Sequence, residues 1–168
     1  MPLTKKLNIG IIGLGHWGPN LVRNFSTNGH CSIRYVCDLK ESNFKRVENL
    51  TSVKCIKTTL AKELFQSPEL DAIVIATSAS THYPLVKKAL QAGKHVFCEK
   101  PLTLDCKQDK ELCDLAERSG LKLMVGFTFL FNSAIQKLKE MVNENRMGKL
   151  YYLTATRTHM GLVREDTS

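Results

Sequence analysis

The feature that most restricts this chain is Gly13-Leu14-Gly15-His16-Trp17-Gly18, set between an apolar run, Leu7–Gly13, and a helical stripe, Leu21, Val22 and Phe25. Three glycines at that spacing, leaving a strand and opening a helix, describe a turn that must be tight and must let something approach its backbone. Gly13 permits the turn. Gly15 carries no side chain to block an incoming group. Gly18 lets the helix pack close to the strand. Pro19 stands at the first helical position, where its missing N–H has no cost. The helix start offers free N–H groups and partial positive charge, which suits a phosphate. This context makes the segment a dinucleotide-binding βαβ unit. The competing interpretation is a glycine-rich turn in an α/β protein that binds something else.

Asp38 supports the first interpretation. It ends the second apolar run, twenty residues after Gly18, where a carboxylate accepts hydrogen bonds from the ribose hydroxyls of an adenosine. It would repel a 2′-phosphate, so NAD is expected over NADP, although Lys40 tempers that preference. The plain alternative for Asp38 is a turn or cap residue.

Alternation continues down the chain. Leu7–Gly13, Ser32–Cys37, Val53–Ile56, Ala72–Ala76, His95–Cys98 and Leu121–Val125 read as strands, nearly continuous in apolar character, as expected for parallel strands covered on both faces. Between them, Ser80 or Thr81 is expected to cap a helix running to about Gln91, with Gly93 stopping it. Thr103 is expected to cap another, with Leu104, Leu112, Leu115 and Ala116 on one side and Gly120 at its end. The fold class is therefore α/β, a doubly wound parallel sheet of Rossmann type.

In open sheets of this kind ligands sit beyond the carboxyl ends of the strands. Two further clusters fall there. Ala76, Thr77 and Ser78 end the fourth strand, with Thr77 able to touch cofactor ribose or nicotinamide; they are expected cofactor contacts, as is His82, a hydrogen-bonding residue of the following helix start. Glu99 and Lys100 end the fifth, followed by Pro101. Lys100 is placed to meet a substrate hydroxyl and stabilise developing oxyanion charge, and Pro101 is a candidate for a cis bond. His16 lies in the glycine turn, and Trp17 there either shields a cofactor or packs.

Composition removes other classes. The 168 residues are 43% hydrophobic and 24% charged, enough to bury a core and too apolar for a disordered chain. The net charge of +8 is spread along the sequence instead of lying in one arm, so no nucleic-acid partner is expected. No apolar run reaches the roughly 18 residues of a membrane span, and Met1–Lys6 has no signal-peptide character; a cytoplasmic protein without a membrane partner is expected. None of the six cysteines forms a Cys-x-x-Cys pair, so no metal site is expected, and the thiols read as reduced core residues.

The pattern changes near Gly126. Asn132 or Ser133 begins an amphipathic helix with Ile135, Leu138, Met141 and Val142, ending near Gly148. Lys149–Met160 alternates like one long strand, which would need neighbours to pair with. Residues 1–125 are expected to form the dinucleotide-binding domain and 126–168 the incomplete start of a second α/β domain, mainly an antiparallel sheet.

Taken together, residues 13–25, Asp38, Ala76-Thr77 with His82, and Glu99-Lys100-Pro101 resemble the Gfo/Idh/MocA oxidoreductases. The Glu-Lys-Pro step is the distinguishing part. Gly126–Asn132 and Gly148–Tyr152 also match, so the resemblance covers nearly the whole chain. It implies reversible hydride transfer between NAD and a hydroxyl-bearing carbon of a sugar or sugar nucleotide, with Lys100 at the reacting hydroxyl. It also implies a second domain that holds substrate, supplies Asp and His partners and forms a homo-oligomer. Phe127 stands where related sequences often have His, and Ser133 where they often have Pro. No histidine here matches the family's catalytic one, so the chain is expected to bind NAD without turning over substrate alone. A different class stays open: a non-catalytic NAD or nucleotide module pairing with a partner through its C-terminal strand, or one taking another adenine nucleotide.

Overall fold

The computed structural model describes residues 6–50, 55–156 and 158. Two compact units make up the chain, Met1–Phe127 and Thr128–Ser168.

The first unit is one sheet of six parallel strands: β1 (Leu7–Ile12), β2 (Cys31–Cys37), β3 (Ile56–Thr58), β4 (Ala72–Ile75), β5 (His95–Cys98) and β6 (Leu123–Val125), in the spatial order β3-β2-β1-β4-β5-β6. The helices are α1 (Gly18–Thr27), α2 (Ala61–Gln66), α3 (Ala79–Gln91) and α4 (Cys106–Arg118), with a 3-10 turn at Glu41–Arg46. The chain builds outward from β1 to β3, then returns to the other side of β1. This reversal leaves a crevice at the carboxyl ends of β1 and β4, where a doubly wound sheet binds its ligand.

Alternation along each strand divides the core between two faces. Ile9, Ile11 and Val74 pack with Leu21 and Val22 of α1. Ile12, Ile73 and Ile75 point the other way, against Leu64 of α2, Val86, Ala89 and Leu90 of α3, and Leu112 and Ala116 of α4. Each buried Val, Leu or Ile side chain contributes about 1.5–3 kcal/mol. Phe25 meets Phe97 edge to face at 6.1 Å between ring centres.

Several local expectations need correction. Ser78 occupies the N-cap of α3, in place of Ser80 or Thr81, without a side-chain cap bond. Asp105 caps α4, accepting from the Lys107 N–H, while Thr103 closes a turn with the Asp105 N–H and lies outside the helix. A carboxylate beside the positive helix start outcompetes a hydroxyl there. Leu104 is therefore 71% exposed and does not join the apolar side. The third strand lies at Ile56–Thr58, not Val53–Ile56, whose first two residues fall outside the described ones. Cys37 and Cys98 are core residues, whereas Cys106 and Cys113 are exposed on α4.

In the second unit, a 3-10 turn at Thr128–Phe131 leads into α5 (Ser133–Asn143). Asn132 is its cap, accepting from Ala134 and Ile135 N–H groups. The helix ends five residues before Gly148, where Asn145 turns left-handed at φ 54°. Residues 149–156 form no strand. Alternation alone does not make a strand: a ladder partner must satisfy its N–H and C=O groups, and none of the described strands provides one. The rest of the expected Lys149–Met160 strand lies, except for Thr158, outside the described residues.

Candidate functional site

The site is built on the β1–α1 turn. Gly13 has φ +96°, and a Cβ there would sit 2.6 Å from the Ala76 carbonyl oxygen and 2.9 Å from Cγ2 of Thr77. The end of β4, at Ala76 and Thr77, therefore presses on the turn and holds it. A Cβ on Gly18 would overlap the Gly13 carbonyl oxygen. At Gly15 the direction of a Cβ is open, with nothing within 4 Å. The backbone thus closes on itself at the outer two glycines and faces free space at the middle one.

The start of α1 faces the same space. Trp17 is its N-cap and makes no side-chain cap bond, and the first turn carries no acidic residue. Among the described residues, the N–H groups of Gly15, His16 and Trp17 have no backbone acceptor. An uncapped helix start with free donors, an open backbone and no acidic residue in its first turn fits the diphosphate of a dinucleotide. His16 and Trp17 are both exposed, Trp17 by 44%.

Asp38 sits at the end of β2 beside this turn. Its Oδ2 accepts from the Leu14 N–H at 2.7 Å, and its Oδ1 from the Lys40 N–H at 2.8 Å and from Nδ2 of Asn43 at 3.0 Å. Three donors aim the carboxylate and tie it to the glycine turn. A carboxylate offers about four acceptor positions, so one on Oδ2 stays available for a ligand hydroxyl. Neither contact was visible in sequence: Asn43 reaches Asp38 through the turn that follows β2, and the Leu14 N–H through the pairing of β1 with β2.

On the other side of β1, Thr77 and Ser78 leave β4. The Thr81 hydroxyl lies 2.7 Å from both the Thr77 hydroxyl and the Ser78 carbonyl. Glu99 and Lys100 leave β5, and the Lys100–Pro101 bond is cis. The Glu99 carboxylate receives the Lys100 N–H at 3.3 Å and lies against Gly126, where a Cβ would come within 3.0 Å of Oε2. Lys100 is exposed at the carboxyl edge. His82 is placed differently from the others. It is 1% exposed, with Nδ1 2.7 Å from the Pro101 carbonyl and Nε2 3.1 Å from the Thr77 carbonyl. Both ring nitrogens face backbone within the protein, and neither is turned to the crevice.

The thiols beside the site are quiet. Burial pushes Cys37 up to about 11, helped by Asp38 and Glu63, and Cys98 up to about 12, helped by Glu99. Thiols so shifted are poor nucleophiles at neutral pH. Among the described residues no cluster of His, Cys, Asp or Glu is placed to hold a metal ion, and no helix is long and apolar enough to cross a membrane.

Comparison with known proteins agrees with this geometry. The chain is 32% identical over 151 residues to a myo-inositol 2-dehydrogenase of Thermotoga maritima, covering 89% of this chain and 45% of the relative. It is 31% identical over 154 residues to an uncharacterized oxidoreductase of Bacillus subtilis, covering 92% and 45%. Among solved structures, scyllo-inositol dehydrogenase from Lactobacillus casei with bound NAD(H) and scyllo-inositol superposes with a TM-score of 0.78 at 26% identity, covering 86% of this chain and 43% of that one. The chain therefore spans about 45% of the length of the curated relatives it matches. The family model for Gfo/Idh/MocA proteins, described as an oxidoreductase family with an NAD-binding Rossmann fold, matches residues 7–127. The chain belongs to the Gfo/Idh/MocA oxidoreductases, and residues 7–127 are its NAD-binding Rossmann domain.

Proposed function

We propose that this chain is the NAD(H)-holding portion of a dehydrogenase that acts on a secondary alcohol of a cyclic polyol or sugar. The observation that carries the proposal is the shared edge of the sheet. The glycine turn after β1, Asp38 after β2, and Lys100 after β5 all lie at carboxyl ends of strands, on both sides of the β1/β4 crevice. The inositol dehydrogenases among the relatives support the polyol class; nothing in the geometry favours a nucleotide-linked sugar over a free one.

In this reading the free N–H groups of Gly15, His16 and Trp17 take the diphosphate, while Gly13 and Gly18, lacking side chains, let the turn close beneath it. Asp38 takes the adenosine ribose and selects against a 2′-phosphate. The sheet order then sends the nicotinamide toward β4 and β5, where Ala76, Thr77, Ser78 and Glu99 form the wall. NAD, when bound, supplies the hydride acceptor. Lys100 holds the substrate hydroxyl and would steady the negative charge that develops on its oxygen. Residues 128–168 begin the part that holds substrate; the stretch matched to relatives runs past residue 127, which supports this.

The test uses Trp17, the sole tryptophan, as donor of excitation energy to reduced nicotinamide. Titration with NADH is expected to quench indole emission and sensitise nicotinamide emission, saturating in the micromolar range. NADPH is expected to bind more weakly. An absence of any saturable signal with NADH would remove the reading.

A further inference from the structure

We propose that His82 is a positioning residue that holds the nicotinamide end of the site in shape from below and does not itself touch the cofactor. The proposal rests on the cofactor reading above. Strands β4 and β5 run side by side, with Ile75 opposite Cys98 as their last paired positions. The final backbone bond between them runs from the Glu99 N–H to the Ile75 carbonyl. Beyond it, Ala76–Ser78 and Lys100–Pro101 leave the sheet with no backbone hydrogen bond between them among the described residues.

The His82 imidazole is the connection that replaces one. It contacts the Thr77 carbonyl on one segment and the Pro101 carbonyl on the other. Those two carbonyls belong to residues at or next to the groups assigned to the nicotinamide end, Thr77 and Lys100. Carbonyl oxygens only accept, so the ring must donate. A neutral ring has one N–H and serves one carbonyl at a time; the doubly protonated ring serves both. The Pro101 contact, at 2.7 Å, is the shorter.

An apolar side chain would fill the same buried volume without the desolvation penalty of a polar ring. What the imidazole adds is the bond across the two segments. It sets where Lys100 stands relative to Thr77, and so the width of the slot between them. Its effect should appear only in ligands that reach that slot.

The experiment compares calorimetric titrations of NADH and of ADP-ribose, which lacks the nicotinamide, on the 168-residue chain and three variants. His82→Leu removes both ring nitrogens. In His82→Asn the amide nitrogen takes the place of Nδ1, and in His82→Gln that of Nε2. NADH is expected to bind His82→Leu about tenfold more weakly, the equivalent of one well-placed hydrogen bond. ADP-ribose should change by less than about twofold, within the scatter of a surface-neutral change. Asn is expected to restore NADH binding and Gln to fall short. Equal losses for both ligands would reduce His82 to a packing role and overturn the proposal, as would unchanged NADH binding in His82→Leu. Rescue by Gln in place of Asn would overturn the assignment to Pro101. Should the Leu variant fail to fold, the Asn and Gln arms decide between these outcomes. A wild-type chain that binds neither ligand would refute the cofactor reading itself, and a chain that binds ADP-ribose but gains nothing from the nicotinamide would refute the positioning role alone.

Discussion

Alanine at Gly15 and alanine at Gly13 are expected to have opposite effects, and the contrast tests the whole reading of the turn. At Gly15 the new methyl would meet no atom within 4 Å, and the backbone is not in the left-handed region. Folding stability should therefore stay within about 0.5 kcal/mol of wild type, or rise slightly as the unfolded chain loses freedom. At Gly13 the residue has φ +96° and the methyl would lie 2.6 Å from a backbone carbonyl that cannot rotate away. The left-handed conformation costs about 1–2 kcal/mol, and the forced overlap adds about 1–3 kcal/mol. A total near 3 kcal/mol would lower the urea midpoint by roughly 1–2 M for a domain of this size. Urea melts followed by circular dichroism measure the stability of each variant, and energy transfer from Trp17 measures NADH binding in the absence of urea. The expected result is a Gly15→Ala protein as stable as wild type that binds NADH at least tenfold more weakly, because the methyl occupies the space left for the diphosphate. Full NADH affinity in Gly15→Ala would refute the argument that the cofactor approaches the chain at this residue. A Gly13→Ala protein of wild-type stability would refute the geometry of the turn.

Asp38→Ala should weaken NADH binding by about 1–3 kcal/mol while leaving NADPH almost unchanged, measured by titrating both. Lys94 is 7% exposed and donates from Nζ to the Ser67 and Leu70 carbonyls. Lys94→Met strands both acceptors and should destabilise the domain by about 2–5 kcal/mol in urea melts, without a selective effect on NADH. Cys37 and Cys98 ionise near their ordinary 9.0 when unfolded and only at about 11 and 12 when folded. Below pH 9 both thiols are neutral in either state; above it the unfolded chain gives up protons that the folded one keeps. Stability should therefore fall as pH rises from 9 toward 12. Cys98→Ala should flatten that fall, seen as a shallower decline of the urea midpoint with pH. At neutral pH an alkylating reagent should label exposed Cys106 and Cys113 first, with Cys37 and Cys98 protected until urea unfolds the domain.

Much of this protein was determined locally and was therefore legible in sequence. The strands β1, β2, β4 and β5 are apolar runs bounded by turn residues, and burial on both faces leaves little freedom in where they lie. The glycine spacing specifies a turn by itself, because only a residue without Cβ tolerates Gly13's conformation and Gly18's approach to it. Caps were less legible. Thr103 and Asp105 are both good cap residues two positions apart, and the competition between them depends on where the chain leaves β5. Alternation over residues 149–156 imitated a strand, since a side-chain pattern carries no information about whether a partner edge is present.

What only the tertiary structure decided is how residues far apart in sequence meet. The order β3-β2-β1-β4-β5-β6 brings Gly13 against Ala76 and Thr77. Pairing of β1 with β2 brings the Leu14 N–H to Asp38, and folding of the loop after β2 adds the Lys40 N–H and Asn43. Packing of α3 against β4 and β5 buries His82 between the Thr77 and Pro101 carbonyls, a placement that its position at the helix start does not reveal. Hydrophobic periodicity and glycine sterics act over a few neighbouring residues, so sequence alone determined the βαβ unit and its binding turn. Hydrogen-bond partners depend on positions set by the whole sheet, so the arrangement of the site around that turn was decided by the fold.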